Sequence, residues 1–466
     1  MNSTRRALLL NPPGRQTYIR DYYCSKLSRT GYTFPPIDLL HAGAQFNRHG
    51  WDTEAIDAIV QGLSVSDALS AAKTAAPDAV FTLVGAVSVD EDAEFLKALR
   101  AQLPHAVFIG SGDVLREHGR QWIEAGLLDA VALDFSSDAP VRFADGEATN
   151  LVDLIYKTAG GIEQGSADTG NAKNYSVGLP PHELFRDFPY RFPFAARTPF
   201  ASVLSDYGCP YRCSFCVMSQ LHYHARPLDE VAAELDLLKA LGIHEFALWD
   251  QTFAISRPRA TGFLDLLPGG QDRFGWTCFT RPDCIDATLA QSMSDKGCHT
   301  VIMGVETAKT ETLQAIQKDF TTPEMKAAFS ACRKAGLETV ATVIVGLPGE
   351  TADDIEATMD FVCHLDPDYL SVHTAIPRAG TQLRRQMVEQ GLVSEELANM
   401  DQSGETAVLS SDTLSPQDIL RMRKRFNRRF YLRPKFLLRT AWRNLVNPHR
   451  LLEHVRQGLS LLSKNA

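Results

Sequence analysis

Nowhere in the 466 residues is there a run of about 18 apolar side chains, so no transmembrane helix is expected. The start, MNSTRRALLLNPPG, carries two arginines but only a short apolar run, residues 7–10, before Asn-Pro-Pro; that pattern argues against a secretory signal peptide. Cysteine is scarce. Nine in so long a chain are too few for a disulfide-stapled secreted scaffold, and a reducing cytoplasm is the expected compartment. Nor is the composition skewed: 44% hydrophobic and 22% charged is ordinary for a globular protein. The length allows two or three domains.

Against that scarcity, three of the nine cysteines fall within eight residues, CPYRCSFC, at Cys209, Cys213 and Cys216. A four-iron cubane prefers thiolate ligands, and three thiolates on one loop leave the fourth iron open. An open metal position is where a small molecule is bound and activated, the logic of catalytic zinc. The residues alone leave other readings beside this one: a chance cluster, a disulfide, or half of a zinc site completed by His222 or His224. Cys24, Cys278, Cys284, Cys298, Cys332 and Cys363 show no second cluster spacing and read mostly as buried small hydrophobes.

From residue 200 onward a six-fold β/α alternation follows, with candidate strands at 200–205, 245–250, 275–280, 300–305, 339–345 and 369–374. Between the first two, Leu228, Val231, Leu235, Leu238 and Leu241 share one helical face. Six parallel units predict a partial β/α barrel, with reactive groups at the strands' carboxyl ends. The cysteine loop follows the first strand, where that geometry places chemistry.

With Phe215 before its third cysteine, the motif resembles the signature of the radical S-adenosylmethionine (radical SAM) superfamily. That resemblance implies a 4Fe–4S cluster on Cys209, Cys213 and Cys216 whose open iron chelates SAM. It also implies reductive cleavage to a 5′-deoxyadenosyl radical and an external electron donor such as flavodoxin or ferredoxin. By the same resemblance SAM contacts fall on Phe215, on Asp250, Gln251 and Thr252 after the second strand, and on Arg281 after the third. Glu306 ends the fourth strand, and Gly346 to Glu350 (GLPGE) follow the fifth. Each has a plainer alternative: a loop salt bridge for Arg281 with Asp283, a helix cap for Glu306, a turn for the glycines. His373, on the sixth strand, reads as a packed residue.

Upstream, apolar runs at 7–10, 79–84, 107–109 and 130–133, with 51–58 weaker, alternate with helical patterns and predict a doubly wound, Rossmann-like parallel sheet. The pieces LLLNPPG, FPPIDLLHAGAQFNRHGW, PDAVFTLVGAVS and VFIGSGD resemble the cobalamin-binding-like domain fused to many radical SAM enzymes. The resemblance implies a cobalamin site on Asn11, Pro12, Pro13, Thr82, Ser88, Gly110, Ser111 and Gly112. No Asp-x-His-x-x-Gly follows the first strand, so no histidine ligand to cobalt comes from that loop. A degenerate domain kept for packing is the alternative.

The expected layout is a cobalamin-binding-like domain over 1–149, a linker strap over 150–197, a radical SAM domain over 198–390, and a mostly helical region over 391–466 ending in a basic tail. From Arg421 onward 13 basic residues face one acidic residue, leaving 34 basic against 55 acidic in the remainder. With aromatic and aliphatic residues interleaved, the tail suits packing on the acidic body or peripheral contact with anionic lipid; no RNA-binding module accompanies it, and nucleic acid is not expected. The implied function is cobalamin-dependent methyl transfer to an unactivated carbon of a small-molecule or lipid-like substrate. A cyclase or rearrangement enzyme is the alternative within the class, and a non-catalytic iron–sulfur or metal-binding protein the alternative outside it.

Overall fold

The computed structural model describes residues 4–22, 25–28, 30–166, 175–395, 401, 407–409 and 413–446. Cys24, most of the run GSADTGNAKN and the tail beyond 446 lie outside the described residues.

Two sheets organise the chain, the first mostly and the second wholly parallel. The first contains β1 (Arg6–Asn11), α1 (Ile37–Arg48), β2 (Asp52–Asp57), α2 (Val65–Ala75), β3 (Ala79–Leu83), α3 (Val89–Gln102), β4 (Val107–Ser111), α4 (Leu115–Glu124), β5 (Ala130–Ala132), β6 (Leu154–Thr158) and β7 (Gly161–Gln164). The strand order is β2-β1-β3-β4-β5-β6-β7, so the chain reverses direction across the sheet at β1. Successive side chains of a strand point to opposite faces. Ala7 and Leu9 accordingly enter one core and Leu8 and Leu10 the other, both fully buried. That explains why β1 reads as an unbroken apolar run rather than an alternating one.

The expected linker begins too early. Residues 154–164 form a β-hairpin that pairs antiparallel with β5 and extends the sheet, and Gly160-Gly161 is its turn region. Only Leu154, Ile155 and Tyr156 are buried in it, too short an apolar stretch to stand out beside Gly-rich neighbours.

The strap proper, from residue 175, is apolar and pinned. Phe185, Tyr190 and Phe200 complete the core on one face of the first sheet. Tyr190 Oη donates to Asp57 at 2.9 Å, and His182 Nε2 lies 2.6 Å from Glu234 Oε1. Glu234 also pairs with the buried Arg226, which donates to Gly178 O at 2.9 Å.

The second sheet is the half-barrel: β8 (Ala201–Val203), α5 (Leu228–Ala240), β9 (Glu245–Leu248), α6 (Arg257–Leu266), β10 (Gly275–Thr280), α7 (Ala287–Asp295), β11 (Cys298–Glu306), α8 (Thr322–Lys334), β12 (Glu338–Val345), α9 (Ala352–Leu365) and β13 (Tyr369–Thr374). The six strands lie side by side in chain order, all parallel. Val231, Leu235 and Leu238 of α5 are buried against them, as the helical spacing predicts. Capping boxes start α8 (Thr321 with Glu324) and α9 (Thr351 with Asp354).

Beyond the barrel come α10 (Gln382–Glu389), α11 (Pro416–Tyr431) and α12 (Pro434–Val446). Helix α11 runs antiparallel along β13: Arg423 Nε donates to Val372 O at 2.8 Å, and Tyr431 Oη exchanges hydrogen bonds with the Leu370 backbone. No helix among the described residues is long and apolar enough to cross a membrane.

Candidate active site at the mouth of the half-barrel

The cysteine loop leaves β8 through a short hairpin. Gly208, at φ +74°, sits where an added Cβ would lie 2.0 Å from His222 O, so this turn requires glycine. Ser214 N donates to Ile316 O at 3.0 Å and Ser214 O accepts from Leu383 N at 2.9 Å, tying the loop to the helical sides of the barrel. Cys216 N donates to Cys213 O at 3.1 Å and folds the second half of the motif back on the first.

All three thiols are free and line one cavity of about 280 Å³ at the strands' carboxyl ends. That is near the lower end of small-molecule sites, about 300 Å³. Its walls also carry Phe215, Gln251, Thr252, Arg281, Glu306, Lys318 and His373. Burial raises all three thiols, Cys216 to about 12, with the neighbouring Cys213 adding to it. Among the described residues no three His, Cys, Asp or Glu side chains converge as a single ion requires. A zinc site needs such convergence, whereas thiolates on separate corners of a cubane do not. His224 instead stacks on Tyr207, with ring centroids 6.4 Å apart.

Five of the eight residues expected to contact SAM face the cavity: Phe215, Gln251, Thr252, Arg281 and Glu306. Arg281 grips Asp283 through two hydrogen bonds of 2.9 and 2.8 Å and lies 3.7 Å above the Tyr211 ring. Its Nη1 is buried and has no hydrogen-bond partner in the structure. Glu306 stands at φ +59°, beside a register shift in β11, and accepts from Lys318 Nζ at 2.6 Å.

Three expected contacts lie elsewhere. Asp250 turns away from the cavity: its carboxylate accepts from Ser205 N at 2.7 Å, Ser205 Oγ at 2.5 Å and Asp206 N at 3.0 Å, clamping the end of β8. Burial pushes Asp250 up to about 7, with Asp206 adding to the rise. Glu350 folds back on its own turn, accepting from Gly346 N at 2.8 Å and Leu347 N at 3.3 Å. Gly346 faces Ile419 of α11, 2.7 Å from where a Cβ would stand. These residues shape the loops rather than the cavity wall.

The sequence reading missed Lys318 and Tyr211, and took His373 for a packed residue. Lys318 lies within 5.9 Å of the Phe215 ring and 5.1 Å of the Phe320 ring; no spacing in the sequence brings it beside Glu306. His373 was legible in part: it sits one residue from the end of β13, and strand parity gives it the same face as Ser371, whose Oγ is 2.9 Å away.

At the other sheet, the residues expected to hold cobalamin are engaged internally. The buried Arg20 donates to Asn11 Oδ1 (3.0 Å), Pro12 O (2.8 Å), Pro13 O (3.1 Å) and Ser88 Oγ (3.1 Å), and pairs with Asp92 at 2.6 Å. Thr82 Oγ1 donates to Leu83 O at 3.3 Å and Ser111 Oγ to Asp38 at 3.1 Å. Gly110 packs against Leu115 and Leu128, and Gly112 against the Val84 carbonyl. As direct contacts these eight do not fit a corrinoid.

The cysteine side fits its implied occupants: three free thiols on one loop, an open space beside them, and a buried guanidinium nitrogen able to take a carboxylate. Comparison with known proteins agrees. Residues 205–362 match the radical SAM superfamily model. An uncharacterized methyltransferase of Pyrococcus horikoshii is 28% identical over 425 residues, 88% of this chain and 90% of the relative. The anaerobic magnesium-protoporphyrin IX monomethyl ester cyclase of Cereibacter sphaeroides is 24% identical over 439 residues, 91% of this chain and 68% of the relative. Among solved structures, the radical SAM methyltransferase TsrM of Kitasatospora setae, with cobalamin and a 4Fe–4S cluster bound, superposes with a TM-score of 0.64. The superposition covers 83% of this chain and 75% of TsrM at 20% identity, a likeness of fold.

Proposed function

We propose that this chain, a radical SAM enzyme whose matching domain spans residues 205–362, transfers a methyl group to carbon of a small-molecule substrate. One observation carries the reading: the cysteines, Arg281, Glu306 and Lys318 come from four separate loop or strand ends and meet on one cavity. When bound, cluster and SAM would supply a radical able to take hydrogen from an unactivated carbon.

The chain's own part is placement. Cys209, Cys213 and Cys216 would ligate three irons; the Thr252 side chain hydrogen-bonds to Cys209 and orients it. Arg281, already oriented by Asp283 and Tyr211, offers Nη1 to the SAM carboxylate. Glu306 and Lys318 hold each other in a paired state, which places a carboxylate and an ammonium on the wall with little desolvated charge left unmatched. Phe279, Ile302, Ile344 and Ile376 line the remainder and exclude water. An external reductant, flavodoxin- or ferredoxin-like, completes the scheme.

The test is anaerobic reconstitution followed by reaction with methyl-deuterated SAM. A SAM-sensitive cluster EPR signal, 5′-deoxyadenosine under reduction and a labelled product are the expected results. Cys213→Ala should lose all three. The cyclase named above aligns along most of this chain, which favours ring closure as the second reading. Unlabelled product accompanied by 5′-deoxyadenosine would select that reading, and a cluster indifferent to SAM would reject both.

A further inference from the structure

Six large hydrophobic side chains are exposed among the described residues, and three of them, Leu432 (55%), Leu437 (50%) and Leu438 (72%), stand within seven residues. They lie where α11 gives way to α12. Beside them opens a groove of about 650 Å³ lined by Arg421, Lys424, Arg425, Arg428, Arg429 and Arg433, with Leu432 at its end.

Part of this charge is matched by the acidic body. Arg425 and Arg429 reach Glu356 at 2.9 and 3.3 Å, Arg429 also pairs with Asp360, and Lys435 and Arg439 reach Asp366 and Asp368. These pairs seat the helices. From Arg421 to Arg443 the sequence holds ten basic residues and no acidic one; among the described residues, ion pairs of this stretch reach Glu356, Asp360, Asp366, Asp368 and Asp418. The side chains of Arg421, Arg425 and Lys435 stay mostly in solvent.

We propose that this leucine ridge and basic groove dock the protein on the surface of an anionic lipid bilayer. Leucines at the headgroup boundary and guanidinium groups on lipid phosphates are the combination that holds amphipathic helices in a membrane interface. A nucleic-acid groove would use the charge and have no use for the leucines.

The fold also sets the orientation. Ile419, near the start of α11, touches Gly346 just beyond the carboxyl end of β12; Tyr431 reaches Leu370 near the start of β13; Arg439 reaches Asp368 before it. The ridge therefore sits at the strand-start end of the half-barrel, opposite the cysteine cavity. Docked through the ridge and the groove that runs from it along α11, the half-barrel lies on its flank and the mouth stays off the bilayer, open to a soluble reductant and a soluble substrate.

Full-length protein should be co-sedimented with vesicles of phosphatidylcholine plus phosphatidylglycerol, and with phosphatidylcholine alone. Pelleting with the anionic vesicles only, reversed by high salt, is expected. Arg421→Gln and Lys424→Gln should each weaken it about fivefold, the effect of one basic residue near a charged surface. Leu437→Asp with Leu438→Asp should abolish it while leaving the melting temperature unchanged, since both side chains are exposed. Three results would overturn the proposal: equal pelleting on neutral vesicles, leucine variants that still bind, or a dimer in solution that the leucine variants dissociate with no vesicle binding.

Discussion

At Arg281 three demands meet in one side chain. The guanidinium is bidentate to Asp283, stacked on Tyr211 and left with a buried nitrogen facing no acceptor. Lysine keeps the charge but loses the fork and the planar stack. Arg281→Lys should therefore raise the SAM concentration needed for half-maximal 5′-deoxyadenosine formation by about 10–100-fold. That is the loss of one charge-assisted hydrogen bond, about 1.5–3 kcal/mol. Iron content per chain should not change, which separates a SAM contact from a general collapse of the site. The place of Arg281 on the cavity wall was legible because its position after a strand is decided locally. Asp250 and Glu350 lie off the cavity for a physical reason: a carboxylate after a strand meets backbone N–H groups as readily as a ligand, here Ser205 and Asp206 of the neighbouring strand end for Asp250 and its own turn for Glu350, all 2.7–3.3 Å away.

Among elements, the strap and α5 are joined by a buried triad of His182, Glu234 and Arg226. Burial alone would push Glu234 up, but Arg226 first and His182 after it hold the carboxyl down at about 2. A folded value below the unfolded one means the stabilisation is present above about pH 4.5 and is lost as pH falls toward 2. Acid titration followed by limited proteolysis should show the strap cut in that window. Glu234→Gln should flatten the pH dependence there and lower stability by up to about 3–5 kcal/mol, since the buried Arg226 would keep only the partly exposed Glu230, 3.4 Å away, as a carboxylate partner. The half-barrel strands were legible as apolar runs at regular intervals, each within a few residues of its observed bounds. The β6–β7 hairpin was not, because its burial comes from β5 and α4 across the sheet rather than from its own pattern.

Across the whole molecule, the two sheets meet near Asp113, which accepts from Ser25 N (2.8 Å), Ala86 N (3.0 Å) and Val114 N (2.9 Å) and faces the buried Arg378 at 3.7 Å. Arg378 belongs to the PRAGT turn after β13, so this pair couples the first sheet to the barrel mouth. Arg378→Met should split one calorimetric transition into two, the first-sheet layer and the barrel melting apart; a single transition moved down intact would mean that the strap and the Phe34–Trp249 and Phe135–Tyr207 contacts suffice to join them. The contact made by Tyr431 and Arg423 with β13 has a further consequence. A half-barrel ends in strands whose outer backbone groups are a template for any other extended chain. By taking the Leu370 and Val372 groups for its own side chains, α11 blunts that edge. The terminal helices thus guard solubility: a chain ending before Ser415 would present a bare strand edge and recruit its own copies into aggregates.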